Sequence, residues 1–299
     1  MDVGFIGLGR MGLPMARHLL ERRAQDRLTL LERFPDRLAD LVADGAQLAD
    51  NARQLAENCD LVIVMVPAID DIRGLLDGPD GLLAGVSKPL ILAVSSTTSA
   101  QDVRTLQAEL ASHQPAITVV DAPVSGGVEG ADSGTLSIMV GGPDEAAQAV
   151  VNLMSATGTA VHLGPLGAGQ VAKACNQLIV AAEVVAVAEA SLLAERAGLD
   201  VERLFDLLST GYAASRILEV KGPKFVRHDH SASGPAKFLI KDLKAVIEEA
   251  DVSGLRLVTA EPLLAAYTAL TEAGLGDEDA SVVQQWIDDT SNPTDAPTG

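Results

Sequence analysis

The chain has 299 residues, of which 47% are hydrophobic and 21% charged; it can build about two domains and is too apolar for a disordered or fibrous protein. Its 22 basic and 41 acidic residues leave a formal net charge of −19, which argues against nucleic-acid and membrane-surface binding because such a surface repels phosphate backbones and anionic lipids. A local cationic pocket can still accept a small anionic substrate.

Cysteine usage and hydropathy favour a cytoplasmic protein. Cys59 and Cys175 are isolated in the sequence, which predicts neither a disulfide framework nor a zinc site. The chain opens directly into a strand-like run, without the features of a signal peptide. Charged residues interrupt the most apolar stretch, 171–197, whereas a bilayer span needs about 20 residues with few or no charges. We therefore expect a buried helix there and no membrane span.

Short apolar runs alternate with helical stretches in the first half of the chain. Continuous runs of about 4–6 apolar residues are typical of strands buried on both faces, and strand–helix repetition predicts a mostly parallel, doubly wound sheet. The predicted strands are Val3–Ile6, Leu28–Leu31, Leu61–Val66, Leu90–Val94, Ile117–Val120 and Ser137–Val140. The predicted helices are Leu13–Arg22, Pro35–Asp44 and Ala100–Ser112.

After about Gly164 only helices are predicted. Gly167–Ala197 is expected to form one helix of roughly 30 residues, ended by Gly198. The other predicted helices are Val201–Ser209, Phe238–Ala250, Ala260–Ala273 and Ala280–Asp289. We expect a doubly wound α/β domain over 1–164, an all-α domain over 165–290 and a flexible tail over 291–299, with the long helix joining the domains. Because that helix is apolar on nearly every side, we expect a homodimer or homotetramer formed through the helical domain.

A glycine-rich turn follows the first predicted strand. The segment Gly7-Leu8-Gly9-Arg10-Met11-Gly12 has the spacing GxGxxG and leads into a helix. Gly7 permits a tight turn, Gly9 lets the backbone approach a pyrophosphate, and Gly12 lets helix and strand pack closely. The N–H groups of the helix N-terminus favour an anion. The alternative is a plain glycine-rich turn, and the strand–turn–helix context favours a dinucleotide site.

An acidic residue in the expected position accompanies this turn. Glu32 closes the second predicted strand, about 20 residues after Gly12, where a carboxylate can bind both ribose hydroxyls of NAD and repel a 2′-phosphate. The alternative is a solvated surface glutamate. Arg33 is a possible partner for a 2′-phosphate, so NAD is expected and NADP stays open.

Polar groups follow several predicted strands. Ligands bind open α/β sheets at the carboxyl ends of the strands, where Val66-Pro67 and the cluster Ser95 to Thr98 lie. Pro67 is equally a loop breaker, and Thr97 is equally a helix cap. Ser125-Gly126-Gly127 offers a hydroxyl and unhindered N–H groups that suit a carboxylate, and a structural turn is the alternative.

Lys173 is the strongest candidate for a catalytic residue in the helical half of the chain. An ammonium in an apolar wall releases its proton more readily and is a candidate acid/base, and Asn176 and Gln177 follow it on the same helix face. The alternative is a lysine that reaches solvent from the first helical turn.

By spacing alone, Lys241-Asp242 is a surface ion pair. His228-Asp229-His230 has no further ligand nearby, so we expect no metal site.

Five segments in this order resemble the β-hydroxyacid dehydrogenase family, which includes 3-hydroxyisobutyrate dehydrogenase and tartronate semialdehyde reductase. They are GFIGLGRMGLPMARHLL, DLVIVMVP, DAPVSGGVEGADSGTLSIMVGG, GAGQVAKACNQ and FLIKDL, and they span nearly the whole chain. The resemblance implies an N-terminal Rossmann domain, an all-α C-terminal domain and hydride transfer between NAD(P) and a small β-hydroxyacid.

The resemblance also implies roles for individual residues. Lys173 is the catalytic acid/base, and Lys241 closes over the cofactor. The implied cofactor site comprises Gly7, Leu8, Gly9, Arg10, Met11, Gly12, Glu32, Arg33, Val66, Pro67, Thr97 and Lys241. The implied substrate site comprises Ser125, Gly126, Gly127, Asn176 and Gln177.

Three positions depart from the family pattern. Val94 stands where the family often has Asp, Ala100 where it often has Pro, and Gln177 replaces the second amide of a frequent Asn-Asn pair. Gln177 and the segment 211–220 look closer to the tartronate semialdehyde reductases, so that reduction is the expected activity, with 3-hydroxyisobutyrate oxidation as the alternative. An imine reductase and a non-catalytic cofactor-binding protein are the more remote alternatives, and the retained Lys173 argues against both.

Overall fold

The computed structural model describes residues 1–231 and 234–291, and the chain forms two compact units, one of residues 1–173 and one that begins at Ala174. The strands are β1 (Asp2–Ile6), β2 (Arg27–Leu31), β3 (Gln47–Leu48), β4 (Leu61–Val64), β5 (Leu90–Val94), β6 (Ile117–Asp121), β7 (Val124–Ser125), β8 (Leu136–Gly141) and β9 (Gly158–Gly164). The helices of the first unit are α1 (Gly12–Arg22), α2 (Ala39–Ala43), α3 (Ala52–Asn58), α4 (Ile69–Leu76), α5 (Leu82–Gly85), α6 (Ala100–His113), α7 (Gly127–Ser133) and α8 (Asp144–Met154).

The helix α9 (Ala168–Arg196) starts in the first unit and continues into the second. The remaining helices are α10 (Val201–Leu208), α11 (Arg216–Arg227), α12 (Phe238–Ser253), α13 (Ala260–Leu270) and α14 (Val283–Ser291). Short 3-10 turns precede α2 at Pro35–Leu38 and α14 at Ala280–Val282.

The first unit is a Rossmann-type sheet. Its strands lie in the order β3-β2-β1-β4-β5-β6-β8-β7, and β9 pairs with β8. The six strands from β3 to β6 are parallel, β8 runs antiparallel to β6 and β7, and β9 is parallel to β8. The chain crosses the sheet in opposite directions on either side of β1 and β4, so the carboxyl ends of these strands form the edge where such sheets bind ligands.

Alternate side chains of the strands bury against helices on opposite faces of the sheet. Phe5 of β1 packs in one core with Met15 of α1, and this core also takes residues of α2 and α8. Val62 of β4 packs in the other with Leu55 of α3 and Val103 of α6. Burial on both faces explains why the strands are continuously apolar, and it confirms the predicted doubly wound sheet.

The second unit consists of helices around a separate core. This core contains Val184 of α9, Phe225 of α11, Leu243 of α12, Tyr267 of α13 and Val283 of α14, all buried. Burial raises the pKa of the Tyr267 hydroxyl well above its usual range. Among the described residues, one helix is long and apolar enough to cross a membrane by length and composition alone: α9, with a best-window mean hydropathy of 1.8. A third of that window is buried (33%), and the prediction that the chain does not span a membrane stays a prediction.

Several elements differ from the predicted ones. The predicted strand 61–66 ends at Val64, and the predicted helix 35–44 is a 3-10 turn followed by the short α2. Strand β9 and helix α11 were not predicted: β9 alternates exposed and half-buried residues, and α11 contains Pro223. Of the predicted tail 291–299, Ser291 is the last residue of α14, and residues 292–299 lie outside the described residues.

Candidate active site

The glycine-rich turn between β1 and α1 meets the geometric demands of a dinucleotide site. Gly7 has a φ of +95°, and a side chain there would collide with the carbonyl oxygen of Met65. A side chain on Gly12 would collide with the carbonyl oxygen of Gly7 and lie 3.0 Å from Phe5. At Gly9, by contrast, no described atom lies within 4 Å of an added Cβ. The turn is therefore tight at two glycines and open at the third, as a pyrophosphate requires.

The remaining residues of the turn have distinct environments. Leu8 is buried in the core, Met11 is half-buried against it, and Arg10 is exposed. The side chain of Arg10, the residue next to the open Gly9, is thus accessible to solvent. Together with the N–H groups of the first turn of α1, these residues fit a bound NAD(P) pyrophosphate.

Glu32 directly follows β2 and is held in place by its neighbours. Its carboxylate accepts a hydrogen bond from the N–H of Phe34 at 3.1 Å, and the Arg37 guanidinium lies 4.0 Å away. Arg33 is exposed, with its guanidinium 5.7 Å from the centre of the Phe34 ring. A carboxylate fixed at this place suits the ribose hydroxyls of NAD and opposes a 2′-phosphate.

We expect Glu32→Ser to weaken NADH binding by about 10- to 150-fold, because a hydrogen bond to a charged group contributes roughly 1.5–3 kcal/mol. NADPH binding should strengthen as the repulsion is lost. Fluorescence titration of both cofactors measures the change. Asp36→Ser, which removes an exposed acid from the adjacent turn, is the matched control. Equal NADH affinity in the Glu32 and Asp36 variants would show that Glu32 does not bind the ribose.

The loop after β5 is shaped by a capping residue that the sequence did not single out. Ser99, not Thr97, caps α6: its hydroxyl accepts the N–H of Asp102 at 3.1 Å. The cap interpretation of Thr97 is therefore wrong, and the half-buried Thr97 stays a predicted cofactor contact.

After β4, Val66 is half-buried and Pro67 is exposed. Their cofactor role also stays a prediction.

The junction of β7 and α7 has a glycine-dependent backbone. Gly126 has a φ of +133° and Gly127 a φ of +66°, conformations that a side chain strains. Both are exposed, and Ser125 is half-buried at the end of β7. Main-chain N–H groups without shielding side chains are thus presented beside a hydroxyl, which fits a substrate carboxylate.

Lys173 lies near the start of α9 and is 8% exposed. The alternative of a lysine that extends into solvent is therefore wrong. A buried ammonium is retained where it is hydrogen-bonded or paired with charge, and such groups are candidates for acid/base chemistry. Its catalytic role stays a prediction.

Asp121, at the end of β6, is a functional candidate that the sequence reasoning passed over. Its carboxylate is fully buried and accepts the N–H of Gly167 and the N–H of Gln170, each at 2.7 Å. Burial raises the pKa of Asp121, and these N–H groups oppose the shift. A buried carboxylate thus anchors the first turn of the helix that carries Lys173. Its two partners lie more than 40 residues away in the sequence, so no local signal identified it.

In the second unit, an acidic side chain orients the predicted substrate amides. Asp242 of α12 is 8% exposed and accepts a hydrogen bond from the side-chain amide of Gln177, whose oxygen accepts the amide of Asn176 at 2.9 Å. The interpretation of Lys241-Asp242 as a surface pair is therefore wrong for Asp242. Lys241 is exposed on α12, and its cofactor contact stays a prediction.

The histidines of the 228–230 segment have other contacts. His228 lies 3.0 Å from the Glu195 carboxylate, and His230 is buried with Nδ1 3.0 Å from the Ser281 hydroxyl. Within residues 1–231 and 234–291, no cluster of three or more His, Cys, Asp or Glu side chains has the arrangement of a metal site.

Two protein-family models match the chain. The model described as the NAD binding domain of 6-phosphogluconate dehydrogenase matches residues 2–165. The model described as NAD-binding of NADP-dependent 3-hydroxyisobutyrate dehydrogenase matches residues 167–287. Together the two matches extend from residue 2 to residue 287, with only residue 166 between them.

Known proteins resemble the chain over nearly its whole length. It is 36% identical to an NAD-dependent L-serine dehydrogenase of Pseudomonas aeruginosa, with 97% of this chain and 98% of that protein covered. It is 33% identical to 2-hydroxy-3-oxopropionate reductase of Escherichia coli, with 98% and 99% covered. A solved structure of Mycobacterium tuberculosis 3-hydroxyisobutyrate dehydrogenase with L-serine matches with a TM-score of 0.82 at 28% identity, with 96% of this chain and 98% of that chain covered. The chain therefore belongs to the β-hydroxyacid dehydrogenase family of NAD(P)-dependent oxidoreductases.

Proposed function

We propose that this enzyme reduces 2-hydroxy-3-oxopropionate (tartronate semialdehyde) to the corresponding 3-hydroxyacid, with NADH as the preferred cofactor. The observation that carries the proposal is the buried Lys173 on α9, whose first turn is anchored at the carboxyl end of the sheet by Asp121. Membership of the family supports the reaction class, and the fixed Glu32 carboxylate supports NADH over NADPH.

The reaction needs a proton donor beside the carbonyl oxygen. When bound, the reduced nicotinamide supplies a hydride, that is, one proton with two electrons. Lys173 donates its proton to the carbonyl oxygen as negative charge develops there, so that the aldehyde becomes a primary alcohol and the lysine is left neutral. General acid catalysis of this kind contributes typically about 10²–10⁴ in rate.

The junction of β7 and α7 is assigned to the substrate carboxylate. The Ser125 hydroxyl and the main-chain N–H groups of Gly126 and Gly127 hold the two oxygens, and this fixes the orientation of the carbonyl carbon. Such positioning would favour short acids, because the distance from the carboxylate to the reacting carbon is then constant. Glycine at both positions keeps the N–H groups accessible.

The choice among small acids rests on polarity at the second carbon. The hydrogen-bonded group Asn176, Gln177 and Asp242 is polar and suits a hydroxyl or amino substituent, with which it can exchange hydrogen bonds, whereas a methyl group offers none. This favours 2-hydroxy-3-oxopropionate over methylmalonate semialdehyde, the product of 3-hydroxyisobutyrate oxidation. The buried Asp242 carboxylate also favours an ammonium group, so L-serine, the substrate named for the 36% identical relative, is a second candidate.

A steady-state assay of paired substrates tests the proposal. NADH and NADPH oxidation are measured with 2-hydroxy-3-oxopropionate and methylmalonate semialdehyde, and NAD reduction with L-serine and 3-hydroxyisobutyrate. The proposal predicts the highest kcat/KM with NADH and 2-hydroxy-3-oxopropionate. Preference for methylmalonate semialdehyde or L-serine would overturn the substrate and keep the reaction class. NADH binding without turnover of any of these acids would favour imine reduction or a non-catalytic role.

We also propose a homo-oligomer formed through the helical unit, and a cytoplasmic location. Ile179 and Leu193 of α9 are 57% and 73% exposed, which is unfavourable for large apolar side chains on a monomer. Cys59 and Cys175 are both free thiols, as is usual in a reducing compartment. Sedimentation velocity separates a monomer from a dimer or tetramer.

A further inference from the structure

The side chain of Gln170 bridges the main chain on both sides of Thr97. Its amide nitrogen donates to the carbonyl oxygen of Ser96 at 2.8 Å, and its amide oxygen accepts the N–H of Thr98 at 3.2 Å. Gln170 is 2% exposed, so water does not compete for these bonds. The carboxamide of Gln170 therefore fixes the main chain on both sides of Thr97, the residue predicted to approach the nicotinamide.

Gln170 is itself fixed by Asp121. The buried carboxylate accepts the main-chain N–H of Gln170 with one oxygen and that of Gly167 with the other. Both oxygens therefore hold the first turn of α9, where negative charge is stabilised by the helix dipole. Charge-assisted hydrogen bonds of this type are short and strong, and these two are 2.7 Å long.

Two glycines bring the helix start close enough for this contact. A Cβ on Gly141 of β8 would lie 2.5 Å from an Asp121 oxygen and 2.7 Å from the N–H nitrogen of Gly169. A Cβ on Gly169 would collide with the carbonyl oxygen of Met139. The first turn of α9 thus rests directly on the main chain of the sheet, and its position is tightly determined.

We propose that Gln170 is a positioning residue for hydride transfer, which sets the Thr97 loop against the helical turn that carries Lys173. Lys173 follows Gln170 by three residues, less than one helical turn and about 4.5 Å along the axis. Asp121, Gln170 and the Ser96–Thr98 main chain therefore link the proton donor to the nicotinamide-side loop through hydrogen bonds and one turn of helix. The inference rests on the proposed function through the roles of Lys173 and Thr97.

The central test replaces Gln170 by Leu, which keeps the side chain's approximate volume and removes both hydrogen bonds. We expect kcat to fall about 10- to 100-fold, since misplacement by about 1 Å costs on the order of 10²-fold. We expect the NADH dissociation constant to change by less than about threefold, because the predicted pyrophosphate and ribose contacts at the glycine-rich turn and Glu32 are kept and the side-chain bonds of Gln170 are to Ser96 and Thr98. An increased KM with an unchanged kcat would contradict a positioning role in the chemical step.

Gln107 provides a matched control within the same unit. On α6, its side-chain amide bridges the main chain of β6 in the same way: its oxygen accepts the N–H of Val119 at 2.7 Å, and its nitrogen lies 3.5 Å from the carbonyl oxygen of Ile117. Gln107→Leu removes a similar bridge away from the Thr97 loop. It should cost comparable stability and leave kcat within about twofold of wild type.

A charge variant adds a signature that loss of stability alone does not produce. In Gln170→Glu the side chain can still accept the Thr98 N–H, but an ionised carboxylate faces the Ser96 carbonyl oxygen without a proton to donate. Protonation restores the donor. The ratio of variant to wild-type kcat should therefore rise as the pH is lowered towards the pKa of this glutamate, and a pH-independent ratio would oppose the proposal.

Hydrogen exchange of the cofactor-free protein separates this inference from the proposed function. Peptides that cover residues 95–100 should exchange faster in Gln170→Leu and unchanged in Gln107→Leu, whatever the substrate is. If wild type turned over none of the tested acids, the proposed function would fail while the exchange result still tested the bridge. If wild type is active and both leucine variants have the same kcat, or if residues 95–100 exchange at the wild-type rate in Gln170→Leu, the positioning role is wrong.

Discussion

Lys173→Met is expected to lower kcat for semialdehyde reduction by about 10²–10⁴, the range that a general acid contributes, while NADH binding is retained. Methionine fills the volume of the lysine stem and removes only the ammonium group. Because Lys173 is 8% exposed, we expect bulk water to be a poor substitute for it as the proton donor. Stopped-flow or steady-state NADH oxidation measures kcat, and fluorescence titration measures the NADH dissociation constant.

Two further variants separate proton donation from charge. Lys173→Arg keeps a positive charge but a guanidinium does not release its proton at physiological pH, so it should lose nearly as much activity as the methionine variant. Lys244→Met removes an exposed lysine from α12 and should leave kcat unchanged. Near wild-type turnover in Lys173→Arg would mean that the lysine acts through its charge and that the proton comes from elsewhere.

Gly9→Val is expected to weaken NADH binding by about 10- to 150-fold, since it displaces the pyrophosphate from a main-chain donor and a charged hydrogen bond contributes about 1.5–3 kcal/mol. No described atom lies within 4 Å of a Cβ added at Gly9, and its φ lies outside the left-handed region. The added valine side chain should therefore collide with the bound cofactor and leave the packing of the protein unchanged. Isothermal titration with NADH and a thermal unfolding curve measure the two effects.

Gly12→Ala is the contrasting variant in the same turn. A Cβ there would collide with the carbonyl oxygen of Gly7, so the added methyl group should destabilise the folded protein by about 1–3 kcal/mol. We expect a lowered Tm in Gly12→Ala and an unchanged Tm in Gly9→Val. NADH affinity in Gly9→Val equal to that of wild type would place the pyrophosphate away from this turn.

The parts of the fold with a strong periodic signal could be predicted from the sequence. The central strands were predicted because both faces are buried and each strand is a continuous apolar run. The long helix, predicted over 167–197, extends over Ala168–Arg196. Strand β9 was missed because its side chains are exposed or half-buried, and the short α7 was missed because it starts at a glycine and includes another.

The candidate site was predictable where it depends on local chemistry and not where it depends on contacts between distant segments. The glycines of the turn after β1 were identified because each role follows from its spacing. The buried partners Asp121, Gln170 and Asp242 were not, because their contacts lie 46 to 74 residues apart in the chain. From the sequence alone, one cannot tell whether an aspartate is buried or which N–H groups its carboxylate accepts.

The anchoring of α9 differs in kind from the ion pairs on the surface. The pair between Asp2 and Arg27 is exposed, and dissolved salt screens such charges over a Debye length of about 8 Å at 0.15 M and about 3 Å at 1 M. Asp121 is fully buried and binds main-chain N–H groups, which mobile ions do not reach. We therefore expect the alignment of the helix start to be insensitive to ionic strength, whereas the surface ion pairs weaken as salt is added.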